Sequence, residues 1–261
     1  MPMNRPTPMH ERCDTLIIGA GPAGMAAALA AAPSGAAITV VDDNPQPGGQ
    51  IWRDGPQVAL PPLAQQHRAD LARHPNIRVL SGTRVVGVGA SQPTDKAPAL
   101  LLEDADRGWT QHSHRIILCT GARELLLPFP GWTLPGVTGA GALQALIKAG
   151  LDVRGQRIVI AGTGPLLLAA AATATQAGAR VVRIAEQAPW ASLAGFAAQL
   201  PRWPAKALQA LALIHPGLRA STHVLEAQGT TQVQSVRLRK GVHAEETIAC
   251  DRIACGFGLV P

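Results

Sequence analysis

The chain has no tyrosine and only three phenylalanines among its 261 residues, so its core has to be aliphatic and rich in alanine. Cysteine is scarce too. The four present, Cys13, Cys119, Cys250 and Cys255, never form a C-x-x-C pair. That excludes the adjacent dithiol of disulfide reductases and the usual paired-thiolate zinc site. Cys119, Cys250 and Cys255 are expected as buried, inert thiols. Charged residues make up 15% of the chain, and the net charge of +6 is dispersed as single arginines rather than basic runs. No aromatics interleave with these cations, which argues against nucleic acid as a partner. A mild positive potential does suit an anionic, phosphate-bearing cofactor. The opening MPMNRPTPMHER lacks the apolar stretch of a signal peptide. The alanine-rich segments are broken by Pro, Gly and Thr, so no transmembrane segment is expected. The cytoplasm is the default location, with attachment to the inner membrane through partners as a variant. The eight histidines show no H-x-x-x-H spacing and are expected at the surface. No catalytic acid or base and no metal ligand is assigned.

The most informative stretch runs from Asp14 to Gln50. Leu16, Ile17 and Ile18 read as a short apolar strand, and Gly19, Gly21 and Gly24, with Pro22 and Ala23 between them, fill the frame G-x-G-x-x-G. In such a frame the first glycine permits a tight turn, the second lets backbone approach a pyrophosphate, and the third lets helix and strand pack closely. The helix that follows aims its free N–H groups and positive dipole end at phosphate. Asp42 ends the next strand, Ile38–Val41, where an acid can hold a ribose hydroxyl, and Asp43 could share or take that role.

A second cycle begins at Gln156. Strand Gln156–Ile160 leads into Gly162 and Gly164, an alanine-rich helix, and strand Arg180–Ala185 with Glu186 at its end. Here Leu167 stands where the third glycine belongs, which pushes helix and strand apart or demands a shifted helix. A purely structural βαβ unit and a second nucleotide site are both open readings. Between the cycles, Leu63–Arg73 reads as a helix, Ile77–Leu80 and Thr83–Val88 as strands, and Ala90–Pro98 as a polar turn. Leu100–Glu103 and Trp109–Gln111 read as a hairpin, and Arg115–Leu118 as a separate buried strand. Residues 126–152 read as a linker that starts in a Pro- and Gly-rich run, between a first domain at 1–125 and a second at 153–261. After the second cycle come two amphipathic segments, near Ser192–Leu200 and Ala205–Ile214. The tail from Leu218 to Ala254 alternates as antiparallel strands do. Arg53 is a charged candidate beside any cofactor, with a salt bridge to Asp54 as its plain alternative.

Four motifs, GAGPAG with Asp42, the loop Gly48-Gly49-Gln50, the strand end Cys119-Thr120-Gly121 and the second GTGP, together resemble the flavoprotein family with two dinucleotide domains. That family includes glutathione-reductase-like and thioredoxin-reductase-like enzymes. The segments PGGQIWR, GARELLLPFPGWTLPGV, GAGALQALIKAG and GTGPLLLA narrow the resemblance to the FAD subunits of heteromeric amine dehydrogenases, of the opine oxidase, hydroxyproline dehydrogenase and hydrogen cyanide synthase types. The implied fold is α/β, with two Rossmann-like domains, the second inserted into the first. FAD is implied at Gly19, Gly21, Pro22, Ala23, Gly24, Asp42 and Asp43, with Gly48, Gly49 and Gln50 beside the flavin. Val85 would meet adenine through its backbone, and Thr120 and Gly121 would line the exit strand. NAD(P) or another adenine nucleotide is implied at Gly162, Gly164 and Glu186. The implied partners are a second FAD-containing subunit, which oxidises the amine, and an iron–sulfur subunit or segment, with electrons passed to an acceptor. Family members continue past the position of Pro261 with a strand ending in Gly-Asp that returns to the first domain. The sequence is thus expected to be a truncated or split member whose first domain lacks its last part. A non-catalytic nucleotide-binding or assembly subunit, or an inactive fragment, is the alternative.

Overall fold

The computed structural model describes residues 9–56, 58–90, 98–204, 215–242 and 244–261. The chain forms two compact units that divide between Gly121 and Ala122.

The first unit contains β1 (Met9–Ile18), α1 (Pro22–Ala31), β2 (Ile38–Asp42), α2 (Pro62–Arg73), β3 (Ile77–Ser81), β4 (Arg84–Val88), β5 (Leu100–Glu103) and β6 (Gly108–Leu118). Its sheet has the order β3-β2-β1-β6-β5-β4. The first four strands of that order run parallel, and β6, β5 and β4 pair antiparallel. All five residues of β2 are buried, as expected for a strand inside a sheet covered on both faces. One apolar cluster gathers Ile17, Met25, Ala28, Ile38, Val40 and Leu71, and a second gathers Leu16, Val41, Leu102 and Trp109.

Two local readings are corrected here. Trp109–Gln111 and Arg115–Leu118 belong to a single strand, because residues 109 to 118 pair with β1 almost throughout, from Met9↔Trp109 to Ile18↔Leu118. The polar run between them hid this continuity. His112 is therefore buried at 3% exposure rather than superficial, and its Nε2 lies 3.4 Å from Nδ1 of His10.

The second unit contains β7 (Arg123–Glu124), β8 (Val137–Gly139), α3 (Ala140–Lys148), β9 (Arg157–Gly162), α4 (Leu166–Gln176), β10 (Arg180–Glu186), α5 (Trp190–Ala197), β11 (Leu218–Arg219), β12 (Thr222–Gln228), β13 (Ser235–Lys240), β14 (Ala244–Ala249), β15 (Arg252–Gly256) and β16 (Leu259–Val260). Five parallel strands order as β11-β10-β9-β15-β8. The tail builds the antiparallel sheet β12-β13-β14, as its alternation indicates, but β15 leaves that pattern and slots in parallel beside β9. α3 and α4 cover one face through Leu143, Ile147, Leu167 and Ala171.

The stretch 126–152, read as a linker, is part of this unit. Its first half is irregular but tied down: Ala227 N–H donates to the Pro130 carbonyl at 2.9 Å, and Val233 N–H to that of Pro135 at 2.9 Å. Phe129, Leu134 and Val137 pack on the second unit's core. Pro and Gly set its irregular backbone, while apolar burial fixes its place. The segment at Ala205–Ile214 and most of the turn at Ala90–Pro98 lie outside the described residues.

Candidate functional site

The first glycine motif sits where β1 ends and α1 begins, at the carboxyl edge of the parallel strands, the usual ligand side of such sheets. Gly19 has φ +101°, and a Cβ there would run into the Cys119 carbonyl. A Cβ on Gly24 would run into the Gly19 carbonyl. Both glycines are therefore required by the fold itself. Gly21 differs. Its φ of −69° suits any residue, and a Cβ would find nothing nearer than the Gly49 Cα at 3.9 Å. Pro22 opens α1, where its missing N–H costs nothing. The N–H groups of Gly21, Ala23 and Gly24 have no hydrogen-bond partner among the described residues. This is an open cradle of backbone donors at a positive helix end.

Other motifs converge on this turn. Gly48 N–H donates to the Ala20 carbonyl at 2.8 Å, which lays the Gly48-Gly49-Gln50 loop against the glycine turn. Cys119 N–H donates to Ile18 at 2.8 Å, and Thr120 follows beside Gly19, with Gly121 next along the chain. Asp42, 7% exposed, accepts the Ala20 N–H at 2.5 Å and the Asn44 N–H and Nδ2 at 2.8 and 2.7 Å. Those three bonds leave one of a carboxylate's roughly four acceptor positions for a ribose hydroxyl. Asp43 is exposed and accepts from Asn44 Nδ2 at 3.1 Å. Arg53 bonds Gln50 Oε1 at 2.9 Å and Asn44 Oδ1 at 3.2 Å, so it straps the glycine loop to the end of β2. The alternative reading of Arg53, a salt bridge to Asp54, is not what forms: Asp54 pairs with Arg68 at 2.9 Å. Val85 stands on β4 opposite Leu102, two residues after Thr83, whose N–H donates to the Asp42 carbonyl at 2.9 Å. Ala20, Asn44 and Thr83 went unnoticed in the sequence because their parts are played by backbone or by a neighbour's side chain.

The second motif is built differently. α4 begins at Leu166, two residues after Gly164, whereas α1 begins directly after Gly21. The helix thus starts one residue later after its second glycine than α1 does. Leu167 is 1% exposed, and its Cδ2 occupies the space in front of Gly256, where a Cβ would stand only 3.0 Å away. Gly162 has φ +144°, and a Cβ there would strike the Gly256 carbonyl. Glu186, one methylene longer than Asp42, reaches one residue further. It accepts from Thr163 Oγ1 at 2.8 Å, from Gly164 N–H at 2.9 Å and from Ala188 N–H at 2.9 Å. The N–H of the second glycine is open in the first unit and engaged in the second.

Glu124 is a further residue that the sequence did not flag. Its carboxylate caps α3, accepting the N–H groups of Gly141 at 2.7 Å and Ala142 at 2.9 Å. Gly139 leaves it room, since a Cβ there would overlap Glu124. Cys250 and Cys255 are buried, and burial pushes both thiols up to about 12. Cys119 is partly exposed, and burial raises its pKa as well. Among the described residues there is no cluster of metal-ligating side chains and no helix long and apolar enough to cross a membrane.

Two units, each turning a parallel strand into a helix through glycines, define a flavin- and nicotinamide-type dinucleotide-binding fold. The solved thioredoxin reductase of T. acidophilum superposes with a TM-score of 0.69 at 21% identity, covering 96% of this chain and 78% of that one. Residues 13–261 match the family described as pyridine nucleotide-disulphide oxidoreductase, and the chain belongs to that family. The HcnB component of hydrogen cyanide synthase from Pseudomonas protegens is 34% identical over 94% of this chain and 56% of its own length. An opine oxidase subunit of Rhizobium meliloti is 29% identical over 95% of this chain and 57% of its own. The chain thus spans little more than half the length of these relatives.

Proposed function

We propose that this chain is the FAD-binding part of an oxidoreductase subunit in a heteromeric amine or amino-acid dehydrogenase, of the opine or hydroxyproline type. The observation that supports this best is Gly21. The fold makes no demand for glycine there, and the residue stands in the cradle of open N–H groups formed by Gly21, Ala23 and Gly24. A ligand whose pyrophosphate occupies that cradle explains the residue. The residues fit FAD. Gly21, Pro22, Ala23 and Gly24 hold its pyrophosphate, and Asp42, with Asp43 at the rim, takes the ribose of the ADP half. Gly48, Gly49 and Gln50, stiffened by Arg53, approach the ring system, and Thr120 and Gly121 border it. Val85 offers backbone to adenine. When bound, the flavin supplies the electron-accepting chemistry, and the chain orients and screens it. The relatives are subunits of cyanide synthase, opine oxidase and sarcosine oxidase, which supports partner subunits, and the partners of this reading are an amine-oxidising subunit with its own FAD and an iron–sulfur subunit or segment.

The reading is tested on purified protein, alone and within its native complex, by absorbance and by mass spectrometry of the released ligand. FAD in either preparation supports it. ATP or AMP in place of FAD would make the chain a nucleotide-binding assembly subunit, and protein free of any nucleotide in both would sink the reading.

A second reading concerns Gly162, Gly164 and Glu186. The engagement of the Gly164 N–H by Glu186 favours a βαβ unit that scaffolds the subunit without a nicotinamide dinucleotide. Tight NADH binding with flavin reduction would overturn it.

A further inference from the structure

The loop that carries Gly48, Gly49 and Gln50 is anchored on its far side by α2. Trp52 N–H donates to the Gly48 carbonyl at 3.0 Å, and the Trp52 ring meets that of His67 edge-on, with centroids 5.4 Å apart. Arg68 donates to the Trp52 carbonyl at 3.3 Å and pairs with Asp54. Arg53 lies between these two held residues, and its guanidinium engages two side-chain amides. Nε and Nη2 donate to Gln50 Oε1 at 3.1 and 2.9 Å, and Nη2 also reaches Asn44 Oδ1 at 3.2 Å. A guanidinium has donors and no acceptor, so the amide atom facing it has to be the oxygen. Arg53 therefore sets the polarity of both amides. Asn44 turns its Nδ2 onto Asp42 Oδ1 at 2.7 Å. Gln50 has both lone pairs of its oxygen filled, and its Nε2 has no partner among the described residues. Gln50 is exposed and follows Gly49, where a Cβ would stand 3.0 Å from the Gly21 Cα of the donor cradle. A glutamine in solvent offers donor and acceptor alike, whereas this one offers N–H alone.

We propose that Arg53 is a positioning residue that fixes Gln50 as a hydrogen-bond donor to an acceptor atom of the bound flavin dinucleotide, on its ring or on its phosphates. This rests on the reading of the first unit as an FAD site. A cation placed only to attract phosphate would keep its donors for the ligand, whereas Nε and Nη2 of Arg53 go to neutral amides. The tie also closes a circuit. Asp42 accepts the Ala20 N–H, the Ala20 carbonyl accepts the Gly48 N–H, and the loop returns from Gln50 through Arg53 and Asn44 to Asp42. The acid proposed for the ribose and the amide proposed for the flavin thus stand in one hydrogen-bonded frame. A planar fork can face both amides at once, which the point charge of a lysine cannot do.

The test compares the parent chain, alone and in its native complex, with Gln50→Glu, Gln50→Met and Arg53→Lys. The readouts are FAD titration, the visible spectrum of the bound flavin and thermal unfolding of the flavin-free protein. Gln50→Glu keeps the tie to Arg53 and makes it charge-assisted, so the melting temperature should hold or rise. It also replaces the donor by an acceptor, so FAD should bind about tenfold more weakly or worse. Gln50→Met removes the donor without adding charge and should weaken FAD by about tenfold too. Arg53→Lys keeps the charge, loses the fork and should show a loss of about the same size. A displaced flavin band in Gln50→Met puts the acceptor on the ring, and lost affinity with the parent spectrum puts it on the phosphates. Weaker binding in Gln50→Glu alone is charge repulsion, and weaker binding in Gln50→Met alone is loss of the tie; either overturns the donor role. Parent-like affinity in Arg53→Lys shows that charge suffices and overturns the positioning role. All three results leave the flavin reading standing, because the parent still binds FAD. A parent without flavin in both preparations removes that reading and this one together.

Discussion

The two glycine motifs share a plan and differ in where the helix begins and in which N–H the strand-end acid engages. In the first, Gly24 lets α1 start directly after Gly21 and lie against the Gly19 carbonyl. In the second, Leu167 is buried at that interface and α4 starts one residue later. The acids follow suit. Asp42 fastens the residue between its glycines, whereas Glu186 fastens the second glycine itself. One turn leaves the N–H of its second glycine free, and the other holds it within the protein. A later helix start and a longer acid together place a carboxylate on the N–H that the first turn leaves open.

The sharpest way to break this comparison is Gly24→Ala. Its Cβ has no space beside the Gly19 carbonyl, so the first unit should lose about 3 kcal/mol or more, read by denaturant unfolding. A near-neutral result would show that α1 can shift as α4 does. Leu167→Ala tests the opposite case. It leaves a cavity beneath α4 and should cost about 2–5 kcal/mol. If it stabilises the chain instead, Leu167 is a defect in the second motif rather than its filling.

The paired acids come next. Asp42→Ala and Glu186→Ala each strip acceptors from turn N–H groups and should cost about 1–3 kcal/mol. Their ligand readouts should diverge, with Asp42→Ala lowering bound FAD and Glu186→Ala leaving it unchanged. Equal flavin loss in both would erase the distinction between the motifs. The smallest expected stability effect is that of Gly21→Ala, within about 0.5 kcal/mol of the parent without ligand. Flavin titration of the same variant should nonetheless show at least tenfold weaker binding. Unchanged affinity would mean that the cradle does not hold the pyrophosphate. In the second motif, Gly164 has φ +92°, so Gly164→Ala should cost about 1 kcal/mol of strain with no effect on flavin.

Much of the fold was legible because its signals are local. Strand, glycine turn, helix, strand and acid follow one another within a short span, and each element's residue types agree with its neighbours. The β12–β14 meander was legible for the same reason, through its alternation. The long β6 was not, because Gln111, His112 and Ser113 are polar yet buried, and only the pairing with β1 reveals why. The Pro- and Gly-rich run at 127–136 reads as a spacer, and nothing in it shows that Phe129 and Leu134 have a core to join. At the site, the glycines and acids were visible as types. The partner that each acid takes was not, since Ala20, Thr163 and Gly164 contribute backbone or hydroxyl groups whose roles depend on a carboxylate more than twenty residues away.

The sequence by itself determined the two βαβ cycles, the family and the residues eligible to meet a cofactor. Glycine spacing, periodicity and strand-end acids are properties of neighbouring residues, and short-range sterics act on them directly. Only the tertiary structure decided which glycines the fold itself requires, which N–H each acid occupies, and that no residue of α5 is buried. Those outcomes depend on where distant backbone comes to rest. Cys119 behind Gly19 and Gly256 before Leu167 are set by packing across the sheet, which no local pattern encodes.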